Sequence, residues 1–103
     1  VPLFNTANVQ YMQNMFYGCT NLKTVPQFNT SKLSSMQNMF SECPNLTEES
    51  LNNILAMCKN ATKITSATYK KLKYIGLSSA QASTCTGLSN YQAFLNAGWT
   101  TGY

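Results

Sequence analysis

The chain has 103 residues, 44% of them hydrophobic, enough for one small domain with a modest core. Only 10% are charged, against about a quarter in an average domain, and Asn, Gln, Ser and Thr supply 40 residues instead. Seven Lys against three Glu give a net charge of +4 with no Arg, Asp or His, which excludes imidazole metal sites and Ser-His or Cys-His nucleophile pairs, and argues against nucleic acid, where Arg is the preferred fork.

The first elements in chain order come as a pair. Residues 1–24 and 25–48 align without a gap and are identical at 13 of 24 positions. A fixed period in this range predicts a solenoid whose units bury their apolar faces on one another. Leu22-Lys23-Thr24-Val25-Pro26-Gln27-Phe28 alternates apolar and polar residues, the period of a strand, with Pro26 at its end or edge. Asn29-Thr30-Ser31 is turn chemistry. Val9, Met12, Met15, Phe16 and Cys19, then Leu33, Met36, Met39, Phe40 and Cys43, recur at helical spacing. A short helix or helical turn is therefore expected at about 9–17 and again at about 33–41.

The second half drops the period. Thr47 is an expected N-cap with Glu48 and Glu49 in the first turn, predicting a helix over about 48–59 that Asn60 closes in a left-handed conformation. Leu72-Lys73-Tyr74-Ile75-Gly76 echoes Leu22-Lys23-Thr24-Val25-Pro26 and is expected to be a strand. Ser78 with Gln81 predicts a capping box for a helix over 79–85, and Ser89 with Gln92 another for 90–97, with Gly98 as its C′ residue. Trp99 and Tyr103 are expected to cover the end of the core rather than to stack sugar rings.

Few residues offer chemistry. Glu48 and Glu49 are neighbours at a helix start, and Glu42 stands alone, so no general acid–base pair is expected and the chain does not read as an enzyme. The four cysteines form no Cys-x-x-Cys pair, so no zinc site and no cofactor are expected. Cys19 and Cys43 share one repeat position and would lie on adjacent units, as a buried thiol ladder or as a disulfide; Cys58 and Cys85 are open to the same two readings. The methionine stripe Met12, Met15, Met36 and Met39 reads as core. Lys70, Lys71 and Lys73 read as a solvated edge. No apolar run approaches the roughly 20 residues that span a bilayer, so no membrane insertion is expected. The chain opens on Val1-Pro2, inside a repeat, as expected of a piece of a longer chain.

Phe28-Asn29-Thr30-Ser31, then Met36, Met39-Phe40, Cys43 and Leu46, resembles the BspA-type leucine-rich repeat in its Met-Phe-x-x-Cys variant from mycoplasmal and Gram-positive surface proteins. Phe4-Asn5-Thr6 with Met12, Met15-Phe16, Cys19 and Leu22 is the earlier copy. Residues 49–103 look like a segment that follows such repeats in gut Firmicutes proteins and their prophages. The resemblance implies an α/β, leucine-rich-repeat-like solenoid fragment: two 24-residue repeats over 1–47, parallel strands on one face, short helices on the other, and a helical C-terminal cap over 48–103. It implies surface attachment or binding and no catalytic residues. The expectation is a binding module of an extracellular, cell-surface or virion protein that recognises a host or neighbouring protein or a glycan. Lys23, Thr24 and Gln27, polar residues of the outward strand face, are its first candidate contacts. Two alternatives stand beside it: a capping or assembly domain, as in a phage tail, and a small inhibitor that occludes a host enzyme.

Overall fold

Thr47 and two glutamates begin the longest helix of this protein. The Thr47 side chain accepts from the Ser50 amide, and α1 runs over Glu48–Asn60 with both acids in its first turn and Lys59 in its last. The computed structural model describes residues 5–65 and 73–101. Two shorter helices follow, α2 at Ser79–Cys85 and α3 at Tyr91–Asn96, and both pack on α1. Leu51, Ile54, Leu55, Met57 and Cys58 form the buried stripe of α1, each side chain worth about 1.5–3 kcal/mol on burial. One continuous core joins them to the repeat residues Met12, Leu33, Met36, Met39 and Phe40.

The expected solenoid with a face of parallel strands does not form. Among the described residues there is no strand and no sheet, only two isolated parallel bridges, Tyr11 with Ser35 and Tyr74 with Thr100. The segment 22–28 fails as a strand because its backbone partners belong to α1. Ser50 Oγ accepts from the Val25 amide at 2.8 Å and donates to the Lys23 carbonyl at 2.8 Å, and Asn53 Nδ2 donates to the Val25 carbonyl at 2.8 Å. The strand expected at 72–76 is likewise reduced, from Lys73 onward, to the one bridge at Tyr74; Leu72 lies outside the described residues.

Of the short helix or helical turn expected at 9–17 and 33–41, the structure has turns and no helix. Three turn bonds of the first copy recur 24 residues later: Val9 to Thr6 and Leu33 to Thr30, Met15 to Met12 and Met39 to Met36, Tyr17 to Asn14 and Ser41 to Asn38, all amide to carbonyl at 3.0–3.2 Å. The amides that a helix would direct four residues back go sideways instead. Met12, Phe16 and Gly18 donate to the carbonyls of Ser35, Met39 and Ser41 at 3.3, 3.0 and 2.9 Å, and Ser34 donates to Gln10 at 2.7 Å. So the two copies lie side by side, joined by backbone bonds. Phe16 stacks on Phe40 at 5.5 Å and on Phe28 at 6.2 Å beneath this seam. Gly18 and Glu42, again 24 residues apart, are both left-handed, at φ 72° and 58°.

The second half follows its capping signals closely. Ser78 and Gln81 form the expected capping box, and Gln81 Nε2 also donates to the Cys43 carbonyl at 2.7 Å, fastening α2 to the second copy. The box expected at Ser89 and Gln92 is absent, because the Ser89 hydroxyl accepts from Asn52 of α1; Asn90 is the N-cap of α3, and its side chain donates to the Asn52 carbonyl. Gly98 is the expected C′ residue, at φ 92°. Its amide donates to Leu95 and that of Trp99 to Phe94, the two bonds of a Schellman motif, and the Trp99 and Phe94 rings meet at 6.3 Å. Trp99 is buried, as a core residue and not a platform; Tyr103 lies outside the described residues. Asn60 ends α1 inside the helix, and Ala61 takes the cap at φ −81°, not left-handed.

Candidate functional site

Lys23, Thr24 and Gln27 are all exposed, on the extended segment that α1 holds through Ser50 and Asn53. Val25 and Phe28 turn inward between them. A shallow pocket of about 210 Å³ opens beside Thr24, lined by Val25, Pro26, Thr47, Glu49, Ser50 and Asn53. Its only charge is Glu49, so it offers hydrogen bonds and little else.

A larger concavity lies on the first copy. It encloses about 440 Å³ and is lined by Thr6, Val9, Tyr11, Met12, Gln13, Asn14 and Met15. Tyr11 is 66%, Met15 47% and Tyr17 52% exposed, and they make up three of the four large exposed apolar side chains among the described residues. The repeat explains this concentration. Met39, the counterpart of Met15, is 0% exposed, because the second copy lies between the first and the helices. The first copy has the second on one side, and among the described residues nothing covers the other. The Gln10 amide and the Tyr11, Met15 and Tyr17 carbonyls on that open side make no hydrogen bond among the described residues. These groups correspond to the Ser34 amide and the Ser35, Met39 and Ser41 carbonyls, which the second copy uses to hold the first.

Reading Met15 as core is therefore corrected: Met12, Met36 and Met39 are buried and Met15 is not. Tyr11 and Tyr17 are both positions where the copies differ, with Ser35 and Ser41 in the second. The signal for all three was positional, an apolar turn in a copy with a neighbour on one side. The Glu42 carboxylate, first through hydrogen bonding and then through its charge, raises the Tyr17 phenol pKa above its ordinary value.

The remaining candidates are structural. Lys73 Nζ donates to the Ala97 carbonyl at 2.8 Å, at the C-terminal end of α3 where a cation is favoured; Lys70 and Lys71 lie outside the described residues. All four cysteines are thiols, Cys19 exposed and Cys43, Cys58 and Cys85 buried. Burial pushes the Cys58 thiol well above its usual range, with the nearby Cys85 adding to the shift, and pushes Cys85 up to about 11. Among the described residues no group of three or more Cys, Asp or Glu is placed to hold a metal ion, and no helix is long and apolar enough to cross a membrane.

The family model described as a Mycoplasma protein of unknown function, DUF285, matches residues 1–74, both copies and α1 included. The chain belongs to the DUF285 family. No curated protein and no solved structure matches it. Residues 75–101 of this DUF285 chain, which carry α2, α3 and the Schellman motif, lie beyond the match.

Proposed function

We propose that this DUF285 chain is a non-enzymatic binding module of a bacterial surface protein, working outside the cell and recognising a host protein. The observation that carries the reading is the exposure of Tyr11 and Met15 in one concavity of the first copy, with Tyr17 exposed two residues further on. Tyrosine and methionine are enriched where proteins meet, since each brings large contact area, and Tyr adds a polar tip. Backbone groups beside them, unpaired among the described residues, offer hydrogen bonds to an extended partner segment. The resemblance to BspA-type repeats supports a place on the bacterial surface, and the neutral, Asn- and Thr-rich exterior suits it. A protein partner is preferred to a glycan because Trp99, the residue best suited to stack a sugar ring, is buried.

The test is surface-immobilised chain against a panel of purified host matrix and cell-surface proteins, with a glycan array in parallel. Saturable binding to a panel protein should weaken by roughly tenfold or more when Tyr11, Met15 and Tyr17 are all changed to Ser, the scale of removing a hot spot. Changing Lys23, Thr24 and Gln27 to Ala should leave it intact. The opposite pattern moves the contact face to the 22–28 segment. Binding to glycans with none to proteins overturns the partner class.

A further inference from the structure

Cys19 and Cys43 occupy one repeat position in the two copies, and the structure brings them to a single carbonyl. Cys43 Sγ donates to the Phe16 carbonyl at 3.0 Å, and the Cys19 amide donates to the same oxygen at 3.1 Å. Burial raises the Cys43 thiol above its ordinary pKa; the Cys19 and Gly18 amides oppose this in part, and negative charge on Cys19 adds to it. The flanking backbone is clamped by Phe16 to Met39 and Gly18 to Ser41 bonds at 3.0 and 2.9 Å. A disulfide needs Cα atoms roughly 4.4–6.8 Å apart, and the bond from Cys43 Sγ to the Phe16 carbonyl sets this sulfur against the turn that carries Cys19.

The two sulfurs differ in access. Cys19 is exposed and Cys43 buried behind it. A reagent in solvent therefore meets Cys19 first and cannot reach Cys43 directly. Cys58 and Cys85 offer a contrast: they adjoin each other on α1 and α2, and both are fully buried, so that pair has no thiol at the surface to begin a reaction.

We propose that Cys19 and Cys43 form a thiol–disulfide exchange site that takes a small-molecule disulfide, with Cys19 as the attacking and Cys43 as the resolving thiol. The Cys19 thiolate attacks one sulfur of the disulfide RSSR, breaks its S–S bond and releases RS⁻, which takes up the proton Cys19 lost. The Cys43 thiolate then attacks the Cys19 sulfur of the mixed disulfide and releases a second RS⁻, protonated by the proton Cys43 lost. One protein S–S bond replaces two S–H bonds, and RSSR is reduced to two RSH. The product ties the two copies to each other across their seam. This proposal is independent of the partner-binding reading.

The test uses the native chain with 5,5′-dithiobis(2-nitrobenzoate), following coloured thiolate, intact mass and a non-reduced peptide map. The folded chain should release about two equivalents of thiolate, keep no adduct, and yield a Cys19–Cys43 linked peptide. Cys43→Ala should release about one equivalent and keep a stable adduct on Cys19. Cys19→Ser should slow the native reaction by roughly tenfold or more, since the remaining thiols are buried. A wild-type chain that retains the adduct on Cys19 overturns the proposal whether or not the Cys43 variant folds. So does reaction of Cys58 or Cys85 at the rate of Cys19.

Discussion

Met15 and Met39 are the same residue of the repeat in two environments, and removing each in turn measures the difference. Met39 is 0% and Met15 47% exposed. Met39→Ala takes three heavy atoms out of a closed core, which loses their transfer energy and leaves a cavity. The expected loss is about 3 kcal/mol, within the 2–5 typical of buried Met→Ala changes. Met15→Ala removes the same atoms where about half their surface is already wet and solvent fills the space, so about 1 kcal/mol or less is expected. In a domain of this size, where each kcal/mol moves the midpoint by about 4–8 °C, Met39→Ala should lower Tm by more than about 10 °C. Urea titration with both midpoint and slope recorded separates a stability change from a change in the denatured state. Equal losses at both positions would refute the reasoning, because the copies would then be equivalently packed.

Three further outcomes follow from single contacts. Ser50→Ala should cost about 1–3 kcal/mol in urea unfolding, since it strips a buried Val25 amide of its partner at 2.8 Å; a loss under a few tenths would discount the clamp on 22–28. Gly98→Ala should cost about 1–2 kcal/mol from forcing a side chain to φ 92°, with no steric share because the added Cβ would stand 3.5 Å from Lys73, an ordinary contact; an unchanged midpoint would count against the Schellman ending of α3. Stability should also fall at alkaline pH. Cys85, held up to about 11 in the folded chain by burial, keeps its proton when the unfolded chain has lost it. The unfolded state then binds fewer protons, so this contribution is complete below the unfolded thiol pKa of about 8.5 and declines as pH rises towards 11. Urea midpoints compared at pH 7.5 and 10.5 for wild type and Cys85→Ser check this; the decline should be smaller in the variant, and an identical decline would place its origin elsewhere.

What the sequence made legible depends on where each segment finds its backbone partners. Thr47 with Ser50, Ser78 with Gln81, and Gly98 before Trp99 satisfy helix ends locally, so α1, α2 and the end of α3 could be read from neighbouring residues. Ser89 and Gln92 carry the same signal and mislead, because Asn52, 37 residues away, takes the Ser89 hydroxyl. The repeat misled in a related way. Met12, Met15, Phe16 and Cys19 have helical spacing, yet a nine-residue segment is too short to hold a helix alone. Its amides bond across to the second copy, and this lateral choice leaves no trace in periodicity. Segment 22–28 alternates like a strand but is held by the side chains of Ser50 and Asn53. The candidate surface was half legible: Tyr11 and Tyr17 align with Ser35 and Ser41 and so mark a difference between the copies, while exposure of Met15 depends on which copy has a neighbour on both sides.

The central claim is that the two copies are joined sideways by backbone bonds, leaving the outer side of the first copy open among the described residues. Residue-resolved amide hydrogen exchange tests it most directly. Met12, Phe16, Gly18 and Ser34, which donate across the seam, should be protected together, while Gln10, on the open side, exchanges at close to the rate of an unstructured peptide. Continuous protection from residue 13 to 17, as a helix over 9–17 would give, or Phe16 and Gly18 exchanging as fast as Gln10, would contradict the claim.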